Sequence, residues 1–246
     1  MCLVAHKINR FFFYYKLFKF QNILLRIVKT KDEKSRLKVI KATNSQTNIP
    51  PASLRTTDPI HRDIEDYLLA KGLYYDRRKN YHKNQFRPIS KIISIPYLAQ
   101  IVMGTLQQKP DYARARPSTI IKKNPDYDEI FNSTIPIELY YKLVFIQQSV
   151  ELALKNYNNS KLKRPQIGDI KFHVTMYVVG KLTNKIKPKA IDIANIDLET
   201  LTEDIKIEAI DNTFIVYDSM GGTNGVAKGK EFVQEVIGQL KENLKK

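Results

Sequence analysis

The sequence predicts a mainly α fold with a few short strands, a multi-helical domain of α+β type. Two segments carry start and stop residues that fit helices throughout. Strand-like alternation is confined to short stretches, and no repeat of fixed period runs through the 246 residues.

In chain order, DEKSRLKVIKATN places Leu37, Ile40 and Lys41 at helical spacing behind Asp32 as a cap, with the helix ending near Thr43. Prolines and hydroxyls make TNIPPASLRTT a loop. DPIHRDIEDYLLAKG reads as a helix capped by Asp58. Pro59 takes its first position, Ile60, Ile64 and Leu68 form its buried stripe, and Gly72 stops it. The following YYDRRK run reads as a strand, with Tyr75, Arg77 and Lys79 on one face and Tyr74, Asp76 and Arg78 on the other. From about Ser94, IPYLAQIVMG is apolar on most sides and predicts a buried helix.

KPDYARARPSTIIKKNPDYDEIFN is punctuated by proline and holds short helices at most, whereas IELYYKLVFIQQSVELALKNY predicts a long one between Pro136 and Tyr157. After the polar connection NNSKLKRP (158–165), GDIKFHVTMYVVGKL reads as a helix capped by Asp169, although its valines also suit a strand. Two tail helices, about 198–217 and 226–244, are joined by SMGGTNG. The organisation is an atypical segment 1–21, a basic region 22–157 and a helical C-terminal region 158–246.

Hydrophobic residues make up 43% of the chain, which excludes disorder by composition. In FFFYYKLFKFQNILLRIV, Lys16, Lys19 and Arg26 break the apolar run that a membrane span or a secretory signal needs. The single cysteine, Cys2, excludes a disulfide framework and a cysteine zinc site. A cytoplasmic location and no membrane partner are expected. The net charge is +16. Residues 1–100 carry 20 Lys and Arg against 7 Asp and Glu, and residues 201–246 carry 6 against 8. Basicity gathered in one half suggests a nucleic-acid partner, DNA or RNA; a lysine-rich composition accounts for the same numbers.

GGTNGVAKGK lacks the first glycine and the hydroxyl of a phosphate loop, and reads as a turn. His6, His61, His82 and His173 include no i, i+4 pair, so no metal site is expected. Pro125-Asp126 followed by Asp169-Ile170-Lys171 has the letters of a restriction-type nuclease, which would hold Mg; capping by Asp169 is the competing reading, and otherwise no cofactor is expected.

The richest stretch is GLYYDRRKNYHKNQ (72–85). Its interleaved tyrosines and cations suit phosphates and exposed bases. In this reading Arg55, Arg77, Arg78, Lys79, Arg114 and Arg116 hold phosphates, and Asn44, Gln46, Tyr74 and Tyr75 contact bases or nucleotide. The alternative is structural, with Asp76 pairing Arg77 or Arg78 and the tyrosines half-buried.

IKATNSQT (40–47), SLR (53–55), IHRDIE (60–65), YYDRRKN (74–80), ISIPYLAQIVMG (93–104) and PDYARARPS (110–118), in that order and spacing, resemble the signature block of the AIPR family, the abortive infection phage resistance proteins of bacteria. The resemblance is close over residues 22–135 and looser beyond. It implies a role in defence against bacteriophage. Family members often carry a nuclease-like region ahead of this block, where MCLVAHKINRFFFYYKLFKF stands here. The expectation is therefore the C-terminal portion of a truncated frame, without its own catalytic centre. Three functions follow: a nucleic-acid-binding or regulatory module; part of a metal-dependent nuclease using Asp126, Asp169 and Lys171; or an interaction module that senses a phage component, with FFFYY as its apolar patch.

Overall fold

The computed structural model describes residues 32–44, 55–115, 117–122, 124–158 and 168–245. Helix α1 (Glu33–Asn44) precedes α2 (Pro59–Ala70), which leads through the left-handed Gly72 into strand β1 (Tyr74–Asp76). A crossover containing the one-turn helix α3 (Tyr81–Asn84) and a 3-10 turn (Ile89–Lys91) returns the chain to strand β2 (Ile92–Ser94). The two strands pair in parallel, Tyr74 opposite Ile92 and Asp76 opposite Ser94.

So short a sheet has no independent stability. It is seated on α2 by the buried side chains of Ile64, Leu68, Tyr75 and Ile93. Ser94 then caps α4 (Ile95–Thr105), its Oγ accepting from the Tyr97 amide at 3.3 Å.

Three short helices follow, α5 (Pro110–Ala115), α6 (Pro117–Lys122) and α7 (Asn124–Ile130), and then the long α8 (Ile137–Tyr157). The centre of the core is α9 (Lys171–Thr183). Every residue from Phe172 to Gly180 is buried, as an all-round apolar helix requires. It packs against α4, α5, α8, the short α10 (Ala190–Ala194), α11 (Glu203–Ser219) and α12 (Lys230–Asn243).

The mainly α expectation holds, with only the two-stranded sheet among the described residues. Among them, no helix is long and apolar enough to cross a membrane.

Several local expectations are corrected. The strand ends at Asp76, so Arg77–Lys79 belong to the crossover. On α2 the buried stripe is His61, Ile64 and Leu68 rather than Ile60. Asp58 stands at the cap position of α2 but makes no side-chain cap bond. Asp169 does not cap α9, because its carboxylate is drawn to Arg114. The tail helices start later than expected, at Glu203 behind a Thr202 cap and at Lys230 behind Gly229; Leu198–Thr200 and Val226–Lys228 are 3-10 turns.

Where α9 meets α12, a Cβ built on Gly180 would lie 2.4 Å from Leu240 Cδ2 and 3.2 Å from the Lys185 carbonyl. Gly180→Ala is therefore expected to destabilise by about 1–3 kcal/mol through overpacking, despite the better helix propensity of alanine. Thermal unfolding should show a fall of roughly 3–10 °C in Tm.

Candidate nucleic-acid interface

The signature words converge first on a buried polar chain rather than on a surface. His61 is fully buried between two tyrosine hydroxyls, Tyr75 Oη at 2.9 Å from Nδ1 and Tyr127 Oη at 2.9 Å from Nε2. Tyr127 gives its proton to Asp58 Oδ2 at 2.8 Å. Its oxygen must then accept from His61 Nε2–H, which leaves Nδ1 bare to accept from Tyr75. The ring is thus fixed as the neutral Nε2–H tautomer.

Arg55 closes the chain, 3.7 Å from the Asp58 carboxylate and 4.0 Å above the Tyr127 ring. Burial pulls the His61 pKa down to about 4; Asp58 opposes this, and Arg77 and Arg55 add to it. Burial also raises the Tyr75 and Tyr127 hydroxyls above the ordinary tyrosine value.

This arrangement redistributes the residues expected to bind nucleic acid. Tyr75 is 1% exposed, so its ring belongs to the core and does not face a base. Arg77 braces the strand, with Nη2 2.5 Å from Glu65 Oε2 and Nη1 donating to the Thr56 carbonyl at 3.0 Å. Arg114 ties α5 to two turns, 2.6 Å from Asp169 Oδ1 and 2.7 Å from Asn224 Oδ1. Asp76 pairs with neither neighbouring arginine; it accepts the His82 amide at 2.9 Å and so fixes the start of the crossover. Tyr74 is half-buried, packed 5.3 Å from the His82 ring and 5.0 Å from the Arg87 guanidinium. The Asn44 side chain, Gln46, Arg116 and the FFFYY segment lie outside the described residues.

Arg78 and Lys79 remain, and they open the surface that the structure does expose. From Arg77 to Pro110 the sequence contains no Asp or Glu. Within it, the crossover presents Arg78, Lys79, Lys83, Arg87 and Lys91, all exposed. Among them stand three exposed apolar side chains: Phe86 (96%), Ile89 (73%) and Tyr81 (46%). Ile89 also rims a groove of about 680 Å³ whose far wall is Gln148, Leu152 and Lys155 of α8. Phe86, Arg87 and Lys91 were missing from the sequence reading, and Lys83 stood in it only as one cation of residues 72–85, although the acid-free run was visible there.

The three nuclease letters are answered by different neighbours. Asp126 accepts from Tyr112 Oη at 3.1 Å, Asp169 is paired with Arg114, and Lys171 lies 2.8 Å from Glu151. Among the described residues, no three His, Cys, Asp or Glu side chains converge as a metal ion would require. His173, beside Arg114, is fully buried against the Phe232 ring at 4.6 Å, and burial pulls its pKa down to about 3.

Among known proteins, a family model described as AIPR protein matches residues 12–222. No curated protein and no solved structure matches the chain. The matched span takes in every residue of the Asp58–Tyr127–His61–Tyr75 chain and the whole basic crossover. The chain belongs to the AIPR family, the abortive-infection phage-resistance proteins.

Proposed function

We propose that this phage-defence chain acts as a nucleic-acid-binding module, with the β1–β2 crossover as its contact surface. The observation that carries this reading is the crossover itself: five exposed cations and three exposed apolar side chains in a stretch without a carboxylate. Arg78, Lys79, Lys83, Arg87 and Lys91 neutralise phosphates. Such contacts release counterions, which makes affinity fall steeply with salt. No catalytic residue is assigned in this reading.

The test is binding to labelled DNA and RNA across a salt series, with Arg78→Ala/Lys79→Ala/Lys83→Ala beside the wild type. These three side chains are exposed and make no hydrogen bond or ion pair among the described residues, so the variant should fold with an unchanged circular dichroism spectrum. Its slope of log K against log salt should be shallower by about 2–3. An unchanged slope would remove the crossover from the interface.

A second reading has one observation behind it. The groove between Ile89 and Leu152 suits an apolar side chain of a protein partner, such as a phage component. Wild type that folds and binds no nucleic acid at any salt concentration would favour it.

A further inference from the structure

We infer that Phe86 is a stacking platform for an unpaired base, which makes the preferred ligand of the crossover a single strand rather than a duplex. The inference rests on the nucleic-acid reading above and names the ligand class. Its ground is the backbone around Phe86. Helix α3 ends in a Schellman motif: the Arg87 amide donates to the His82 carbonyl at 3.1 Å and the Phe86 amide to that of Lys83 at 3.0 Å. The residue at the centre of that motif is left-handed, and here it is Phe86, with φ of 58°. Glycine is the residue that takes this position without strain. The chain instead places there a large aromatic ring that is 96% exposed.

Two unfavourable choices coincide at one residue, a strained backbone and a ring in water, and neither serves the fold. Both serve a ring that must stand clear of the surface. Lys83, Arg87 and Arg78 surround it in sequence, and Tyr81 at 46% exposure offers a second ring. A duplex keeps its base faces stacked inside, so a projecting ring contributes little to it. An unpaired base offers a face to stack on Phe86 while its phosphates meet the cations.

The test uses the full chain and three variants. The position favours glycine, so Phe86→Gly should fold as well as the wild type, with an equal or higher Tm. It should bind a labelled single strand roughly tenfold more weakly, as expected for the loss of one stacked base, and bind a duplex of equal length unchanged. Phe86→Trp should retain single-strand binding. The chain contains no tryptophan, so its emission reports this site alone, and single strands should quench it. Arg78→Ala, by contrast, should weaken both ligands alike.

Wild type that binds neither form would overturn the underlying reading. Wild type that binds both forms, with Phe86→Gly silent on single strands or equally weak on duplex, would leave that reading standing and overturn this one. Emission of Phe86→Trp that responds to anionic vesicles and not to single strands would also overturn it.

Discussion

Replacing His61 by alanine is expected to destabilise the fold by about 4 kcal/mol. Two losses add. The ring leaves a cavity against Phe131, whose ring centroid is 4.7 Å away. Tyr75 Oη, buried with the rest of its side chain, also loses the Nδ1 acceptor, and an unsatisfied buried hydroxyl costs about 1–3 kcal/mol. Tyr127 keeps Asp58 as a partner, so it suffers less.

Urea unfolding would measure the series. Tyr75→Phe should cost about 1–2 kcal/mol, because it strands only the Nδ1 lone pair. His61→Leu/Tyr75→Phe should be less destabilising than the sum of its single changes, since the second change removes the hydroxyl that the first leaves unpaired. Additive losses would mean that the two residues do not share a hydrogen bond. In every member, Arg78 and Lys79 lie outside the altered contacts, so the salt-dependent binding proposed for the crossover should be unaffected wherever the protein stays folded.

The segments with helix grammar were legible because local rules govern them: Pro59 at the first turn, Gly72 at the stop, and an apolar run from about Ser94. What failed was the assignment of polar residues whose partners are distant in sequence. Asp58 stands where a cap belongs, yet its carboxylate serves Tyr127, 69 residues away. Asp169 looked like a cap and is the partner of Arg114. His61 is in phase with Ile64 and Leu68, but a polar letter in a buried stripe is passed over unless its partners are known.

The arginines of YYDRRKN divided for the same reason. Arg77 finds Glu65 one helix back, whereas Arg78 is exposed to solvent. Phe86 was invisible because left-handed backbone is read from glycine and asparagine, and this chain puts neither there.

Acid is the second large lever, and its sign follows from two buried histidines. In the unfolded chain both titrate near the ordinary value of 6.5; in the fold burial holds His61 near 4 and His173 near 3. Below about pH 6.5 the unfolded state therefore binds more protons, and stability falls as pH falls. Each histidine contributes a slope of about 1.4 kcal/mol per pH unit, ending for His61 near pH 4 and for His173 near pH 3.

The groups that face them set the two apart. Around His61, Asp58 favours protonation, Arg55 and Arg77 oppose it, and Tyr75 can no longer donate once Nδ1 carries a proton. Around His173, Arg114 opposes protonation, and neither ring nitrogen has a hydrogen-bond partner among the described residues.

That difference separates their variants. His173→Leu removes two unsatisfied polar atoms from an apolar site, so it should be neutral or stabilising by about 1 kcal/mol at pH 7, with a larger advantage at pH 5. His61→Leu should destabilise at pH 7 and flatten the acid limb. Urea midpoints from pH 7.5 to pH 4 would decide this. A His173→Leu curve parallel to that of the wild type would mean that His173 does not titrate between folded and unfolded states. If it lies above and diverges as pH falls, the buried imidazole beside Arg114 is a liability that acid exposes.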